Sequence, residues 1–416
     1  MKFRSTAAFV TIYLAAAVLL HAFVFWKSRN LILRGFPDFA VYYCAGSVVR
    51  QGLGHQLYDA SSRFLVAKQF ASDVPQFRGP LPYYHPPFEA LFFLPFSYLP
   101  WLWAYLAWDL LNVVLLGAVL LLLRAHIARL REYPFLFCFL ATLAFFPVFY
   151  CLLNAQDAIF LLVIYTFVFI SLKTNHQTAA GLWLALGLFK FHLTLPFLLL
   201  LLAQKQPQES KRKLLYGFLP GCLVLALVSL AIAGTRAIWA YPNYVLHWED
   251  VLVTREIPTG MPNLRGLAYL FLPRNISNAA TLVASFALLA VAAWVIRNAA
   301  EDKMFDLRFS LALAVTALVS YHAASYDLTM LVVPIVLVVN YFMAEHGLHR
   351  APARMTILAI GILFFSPLHL LLSFRYRNYA MMALALLLFA YGITRELLYA
   401  TAVTANMRAS VAGRSG

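Results

Sequence analysis

The sequence predicts an all-α membrane protein, folded as a polytopic bundle of transmembrane helices. Of its 416 residues, 63% are hydrophobic and only 12% are charged. The mean hydropathy is +0.77, and apolar runs long enough to cross a bilayer recur along the whole chain. A water-soluble domain cannot bury that much apolar surface, so we expect lipid to surround most of this chain.

The apolar runs define the predicted elements in order. Since about 20 apolar residues cross the hydrocarbon core, we count about twelve spans and expect the first to be retained rather than cleaved. They lie at 6–26, 100–123, 135–153, 157–172, 178–189, 192–203, 214–233, 280–297, 309–321, 327–343, 355–373 and 379–394. The pairs 178–189 with 192–203 and 309–321 with 327–343 contain short members. Such pairs suggest half-inserted helices that bring a polar turn below the membrane surface.

Positive charge sets the expected orientation. Lys and Arg cluster in segments such as 124–131 and 211–213, and positive loops stay on the cytoplasmic side. We therefore expect a multi-pass protein of a bacterial-type plasma (inner) membrane, with both termini in the cytoplasm. We treat residues 1–416 as a single integral-membrane domain with a mobile tail at 396–416.

Charge and cysteine content exclude other classes of protein. The net charge of +15 suits anionic lipid headgroups. The basic residues are spread over separate loops, a pattern that does not predict nucleic-acid binding. The four cysteines contain no CxxC pair, so they predict neither a disulfide framework nor a metal site.

Two predicted outer segments, 27–99 and 234–279, are too long to be simple connectors. Long ordered loops usually carry function, and both segments are rich in aromatic residues. In the first we predict short interfacial helices near 39–52 and 59–71, with Asp38 at the start of the former.

Nine residues stand out because the expected topology places all of them at the outer ends of spans. Asp38 leads the set, because a carboxylate at a membrane–water boundary is costly unless it is solvated or paired; we predict that it is catalytic. Its simpler interpretation is an N-cap of the following helix. The candidate substrate-binding residues are Tyr42, Tyr83, His85, Gln156, Lys190, His192, Arg265 and His322.

Plain structural alternatives stay open for these candidates. His85 is also explained as part of an aromatic belt at the interface, Gln156 as a helix cap, and Lys190 as a side chain that snorkels to the surface. Arg265 is also explained as an ordinary loop residue, and His322 as one partner of a satisfied polar pair at a helix turn.

One carboxylate among several cations at a membrane surface suits the transfer of a sugar from a lipid phosphate. The carboxylate would take the proton of the attacking hydroxyl, and the cations would stabilise the phosphate leaving group. Aromatic rings such as Tyr42 would stack on the sugar. The sequence contains no Asp-x-Asp pair, so we expect neither a metal nor another cofactor.

At these residues the chain resembles glycosyltransferase family 87. The matching motifs, in order, are Asp38-Phe39-x-x-Tyr42-Tyr43, Gly52 to Leu57-Tyr58-Asp59, Tyr84-His85-Pro86-Pro87, Asn154-Ala155-Gln156, Gly181 to Lys190, Asn263-Leu264-Arg265-Gly266-Leu267, and Tyr321-His322 to Tyr326-Asp327-Leu328. The resemblance implies a helical bundle of the GT-C type and a polyprenyl-phosphate sugar donor. It also implies inversion at the anomeric carbon, with Asp38 as general base and no metal.

We therefore expect a glycosyltransferase that moves a hexose, with mannose as the expected sugar, to a lipid-linked or glycan acceptor on the outer side. Its partners would be the polyprenyl-phosphate sugar donor, that acceptor and membrane lipids. The rival interpretation is a transporter or lipid flippase with a proton or ion relay through Asp38, Asp157, His322 and Asp327. A catalytically inactive scaffold or partner subunit is a third alternative.

Overall fold

Helices make up the regular secondary structure in a computed structural model of the chain. The structure describes residues 2–59, 83–251, 258–299, 302–345 and 349–412. Within those ranges no strand is present, which confirms the predicted all-α class. The interfacial helix predicted near 59–71 lies outside the described residues.

The helices follow one another with short connections. In chain order they are α1 (Lys2–Lys27), α2 (Arg29–Leu33), α3 (Phe39–Arg50), α4 (Ala90–Phe93), α5 (Trp101–His126), α6 (Phe135–Ala144), α7 (Phe146–Asn154), α8 (Ala158–Lys173), α9 (Gln177–Leu186), α10 (Phe191–Ala203), α11 (Gln208–Val251), α12 (Leu264–Phe271), α13 (Arg274–Asn298), α14 (Phe305–Val319), α15 (Val332–Glu345), α16 (Ala351–Phe364), α17 (Ser366–Leu370) and α18 (Met382–Ala412). Turns of 3₁₀ helix that matter below are Pro87–Glu89, Gly187–Lys190 and Ser325–Leu331.

The described residues contain seven helical stretches long and apolar enough to cross a membrane, or nine if each of two bent pairs is one span. One pair is α6 with α7, bent by 73°, and the other is α16 with Ser366–Arg375, bent by 57°. This confirms a bundle of many spans. The predicted number of about twelve is higher partly because α8, with 16 residues, and α14, with 15 residues, are shorter than a full span.

The chain reverses between α9 and α10. Together they cover Gln177–Ala203, 27 residues that by length and composition alone would cross a membrane once. However, Thr194 Oγ1 donates a hydrogen bond of 2.6 Å to the Gly187 carbonyl, whereas residues seven apart in a continuous helix are separated by about 10 Å along the axis. Lys190 also has non-helical dihedral angles, φ −115° and ψ 62°. Lys190 therefore lies at the tip of two short arms, as the sequence predicts for this pair.

Glycines allow α9 and α11 to pack closely, side by side in the same direction. A Cβ atom at Gly217 would overlap the Thr178 carbonyl, and one at Gly221 would lie 2.5 Å from the Ala185 Cβ. Residue numbers at the contacts increase together along both helices, from Thr178 with Gly217 to Ala185 with Gly221. The two helices therefore run parallel. Small residues at such contacts let helix backbones approach each other. The parallel arrangement requires α10 to bring the chain back, which is independent support for the reversal at Lys190.

The burial pattern separates a core helix from the outer ones. Every residue of α14 from Leu307 to Val319 is buried, including Arg308, and a helix with apolar residues on most of its sides is expected in a core. Large apolar side chains on α1, α5 and α13 point outward, for example Phe9, Leu110 and Phe286. These outward faces suit lipid rather than water.

The first predicted outer segment places Asp38. After α2 the chain turns at Gly35, whose φ of 70° favours glycine, and then enters α3 in the place of the helix predicted near 39–52. In the second segment Gly234, with φ 70° and ψ 172°, interrupts α11 beside the predicted span end at 233. At the other end, α18 continues to Ala412, through most of the predicted tail.

Candidate active site

Asp38 occupies the N-cap position of α3 but does not cap it. Its side chain makes no capping hydrogen bond to the helix, so the simpler sequence interpretation fails. The half-buried carboxylate instead accepts a hydrogen bond of 2.8 Å at Oδ2 from Gln156 Nε2. The structure therefore directs Asp38 away from its own helix and towards the start of α8.

Gln156 joins Asp38 to Tyr42 on the first turn of α3. The Tyr42 hydroxyl donates to Gln156 Oε1 at 2.7 Å. Burial, reinforced by the negative charge of Asp157, raises the pKa of Tyr42, so this phenol keeps its proton and can donate. The three side chains form a chain of hydrogen bonds that ends on the carboxylate.

Lys190 is held between two carboxylates. Its Nζ lies 2.7 Å from Asp157 Oδ1 and 2.5 Å from Asp327 Oδ1, and it lies 5.1 Å from the centre of the Tyr326 ring. All three charged side chains are almost fully buried. Burial acts most strongly and raises the pKa of Asp157, but Lys190, His85 and the hydrogen bond with Glu89 together outweigh it, and the pKa is lowered.

A second buried group adjoins this cluster and offers metal-ligand atoms. Among the described residues, His85, Glu89 and Asp157 could hold a metal ion, since one ligand atom of each lies within 4.8 Å of the others. His85 Nδ1 is 2.7 Å from Glu89 Oε2. Burial and the charge of Asp157 raise the pKa of Glu89, and burial lowers the pKa of His85 to about 4. In this structure the three side chains form an internal cluster, in which His85 contacts Glu89 and Asp157 contacts Lys190.

A polar path runs from His85 towards α12. The Tyr84 hydroxyl lies 3.2 Å from His322 Nε2, and burial together with the negative charge of Asp38 raises the pKa of Tyr84. Burial, with the positive charge of Arg265 adding to it, lowers the pKa of His322 to about 3. The Arg265 guanidinium carbon lies 3.9 Å from the centre of the Tyr321 ring. The site thus has a carboxylate on one side and a guanidinium on the other.

Asn263 explains how Arg265 is placed. Its side chain caps α12 by accepting from the Gly266 N–H at 2.8 Å, and its Nδ2 donates to the Ser320 carbonyl at 2.8 Å. The Ser320 hydroxyl lies 2.7 Å from His192 Nδ1. Asn263 therefore fixes the start of α12 against the loop that carries His322. The start of α10 lies beside this loop, because His192 contacts Ser320.

This chain matches the model of glycosyltransferase family 87 over residues 83–321, more than half of its length. It belongs to glycosyltransferase family 87. No curated protein and no solved structure matches the chain. As a family 87 member with several membrane-spanning helices, the protein is a membrane glycosyltransferase.

The family 87 match contains six of the nine predicted site residues; Asp38 and Tyr42 precede it, and His322 directly follows it. The structure brings all nine into one connected region. For two of them, Tyr83 and Lys190, the partners suit a structural role. The Tyr83 hydroxyl donates to the Pro86 carbonyl at 3.1 Å, which suits a role in shaping the turn. Lys190 is paired with two aspartates, so its predicted contact with a donor phosphate stays an untested prediction.

Four residues of the region were missed as site residues: Asp157, Asp327, Glu89 and Tyr84. A signal existed for the aspartates, because a lysine between two apolar segments requires an anion. Both also lie in or directly beside motifs that carry the family resemblance. Glu89 lies four residues after His85, one helical turn away, but nothing in its sequence surroundings indicates that its carboxyl group is buried with a raised pKa.

Proposed function

We propose that this family 87 glycosyltransferase moves a hexose, mannose in the first instance, from a polyprenyl-phosphate donor to a lipid-linked or glycan acceptor. The observation that carries the proposal is the Asp38 carboxylate, which is held by Gln156 rather than used as a helix cap. It faces a region that also contains Tyr84, His322 and Arg265. A base and a phosphate-binding group on one site are what this transfer requires.

Asp38 would act as general base. Its carboxylate accepts the proton of the acceptor hydroxyl while the oxygen attacks the anomeric carbon of the donor sugar. The bond from that carbon to the phosphate oxygen breaks, and the electron pair leaves with the lipid phosphate. Attack from the face opposite the leaving group inverts the anomeric configuration, through a transition state with oxocarbenium character.

The phosphate would be held by Arg265, His322 and the Tyr84 hydroxyl, with His192 beside them. A guanidinium suits phosphate because its donors match the oxygens in pairs. The pKa of His322 is about 3 in the structure because of burial, so it is a neutral donor at neutral pH. The donor is a phosphodiester with one negative charge, and its phosphate becomes a dianion as the bond to the sugar breaks. That charge would raise the pKa of His322 and favour the imidazolium, so the contact would strengthen as leaving-group charge develops.

The remaining sequence predictions complete the proposal. The site would face the outer side of a bacterial-type inner membrane, with both termini in the cytoplasm. The segments 27–99 and 234–279 would shape the acceptor cleft. No metal would be required, as the family resemblance implies and as the absence of an Asp-x-Asp pair in the sequence suggests.

The test is sugar transfer by purified protein in lipid nanodiscs. The donor is radiolabelled polyprenyl-phosphate-mannose, the acceptor is a membrane lipid extract, and donors carrying arabinose or glucose are run in parallel. We expect label in the acceptor fraction, with an anomeric configuration opposite to that of the donor. Transfer from none of the three donors, or transfer with retention, would contradict the proposal; the first result would favour the transporter interpretation.

A further inference from the structure

The geometry points to Gln156 as the positioning residue that orients the Asp38 carboxylate, with Tyr42 holding the other end of its side-chain amide. This inference rests on the proposed role of Asp38 as general base. It assigns Gln156 a task different from substrate binding, since both ends of its side chain are engaged by protein groups.

The backbone of Gln156 is firmly held. The preceding residue, Ala155, adopts a left-handed conformation (φ 45°), which ends α7 and redirects the chain. The Gln156 N–H donates to the Cys151 carbonyl at 2.9 Å. Its carbonyl oxygen accepts from Trp108 Nε1 and from Asn112 Nδ2, each at 3.3 Å. Two side chains of α5 therefore anchor a residue that is only 2% exposed.

The direction of the side-chain amide is also determined. An amide has a donor end and an acceptor end, and the two are told apart by their partners. Tyr42 donates at 2.7 Å to the oxygen, which leaves the nitrogen to donate to Asp38 Oδ2 at 2.8 Å. A flipped amide would set its oxygen against the carboxylate, which has no proton to donate, although the Tyr42 hydroxyl could then accept from the amide nitrogen. The carboxylate thus fixes the direction of the amide, and Tyr42 holds its oxygen end.

A donor held in this manner acts on the base in two ways. It fixes the carboxylate plane, so that the proton-accepting group keeps its orientation in each turnover. It also favours the ionised carboxylate, the form that can accept a proton. Both effects act on the chemical step, so we expect them in kcat and not in the KM of donor or acceptor.

The decisive variants are Gln156→Met and Gln156→Glu. We expect Gln156→Met to lower kcat by about 10- to 100-fold, the loss expected for one hydrogen bond to a charged group, with both KM values within about twofold of wild type. In Gln156→Glu the donor becomes a carboxylate that repels Asp38. Its activity should rise as pH falls, because the protonated Glu side chain can donate again.

The pH signature can be separated from other titrations. Among the described residues, the phenols of Tyr84, Tyr150 and Tyr326 face Asp38, and position 156 adjoins the Tyr42 phenol, the Cys151 thiol and the carboxylate of Asp157. Phenols titrate near pH 10 in water, so an assay between about pH 5 and pH 7.5 leaves them protonated. A rise in activity on acidification that occurs in Gln156→Glu and not in wild type therefore reports the introduced carboxyl group.

Tyrosines on α3 provide a matched pair of variants. Tyr42→Phe removes the hydroxyl that holds the oxygen end of the amide, so it should lower kcat, by less than Gln156→Met. Tyr43→Phe removes a hydroxyl that donates to the Leu99 carbonyl at 2.8 Å, outside the site, and should leave kcat unchanged. Folding of each variant is checked by size-exclusion elution and thermal unfolding.

Asp38→Asn, run beside these variants, separates the two claims. If Asp38→Asn is inactive while folded Gln156→Met and Tyr42→Phe keep the wild-type kcat, the positioning role is overturned and the base survives. If Asp38→Asn is fully active, the proposed function itself fails. Should Gln156→Met not fold, an unchanged kcat in Tyr42→Phe, or a Gln156→Glu profile that follows wild type, overturns the inference.

Discussion

Replacing Lys190 by methionine removes the cation between two buried carboxylates. In the structure Nζ lies 2.7 Å from Asp157 Oδ1 and 2.5 Å from Asp327 Oδ1, and all three side chains are 3% exposed or less. Removal of one partner from a buried pair costs about 3–5 kcal/mol, because it leaves an uncompensated charge. We expect the Lys190→Met protein to lose about that much free energy of unfolding.

The measurement is chemical denaturation of purified protein in mixed micelles. Lys173→Met is the matched control, because Lys173 lies 3.3 Å from Asp306 but is 34% exposed, and such pairs contribute at most about 1 kcal/mol. Adding Asp157→Asn and Asp327→Asn to Lys190→Met should restore most of the loss, since no buried charge then remains unpaired. A Lys190→Met protein as stable as Lys173→Met would refute the reasoning.

Three further predictions concern acid, packing and donor binding. Burial lowers the pKa of His322 from 6.5 to about 3, so the unfolded state binds its proton first and stability falls as pH drops from 6.5 towards 3. Between pH 7 and pH 5 this histidine should lower the free energy of unfolding by about 2 kcal/mol, because over about 1.5 pH units of that range it is protonated in the unfolded state only. His322→Gln should abolish that part of the pH dependence. Gly217→Ala should lower the melting temperature, since its Cβ meets backbone, whereas Gly361→Ala, with no atom within 4 Å, should not. Arg265→Lys should raise the donor KM about tenfold with kcat less affected, because an ammonium loses the paired phosphate contacts; an unchanged KM would remove Arg265 from the phosphate site.

Much of the fold could be predicted because lipid enforces a simple pattern. Every span needs a long apolar run, and the runs at 101–126 and 274–298 stand out in the sequence for that reason. The reversal at Lys190 was also predictable, because a cation between two short apolar segments must reach water or an anion. The bend between α6 and α7 was not, since its 73° angle depends on what packs around it.

His21 shows why such bends escape sequence analysis. In the structure this buried histidine of α1 lies 3.1 Å from the Leu143 carbonyl and 2.9 Å from the Ser366 hydroxyl. His21 therefore contacts both bent helix pairs at their breaks, between α6 and α7 and at the end of α16, where helical hydrogen bonding is interrupted. In the sequence it is a lone histidine in an apolar run.

The sequence predicted which residues belong to the candidate site, but not which of them contact each other. All nine residues proved to lie in one region because each occupies a helix end or turn. Their pairings join positions far apart in the chain: Gln156 is 118 residues from Asp38, and Lys190 is 137 residues from Asp327. Nothing local to Lys190 distinguishes a phosphate ligand from the centre of a buried ion cluster.

The most direct test of the account is the single-turnover rate of sugar transfer by Asp38→Asn. Asparagine preserves the shape of the side chain and can still accept from Gln156, but it cannot take up the acceptor proton at neutral pH. The account predicts a rate about 10²- to 10⁴-fold below wild type, with donor affinity unchanged. A rate equal to that of wild type, from folded protein that binds the donor normally, would contradict Asp38 as the base.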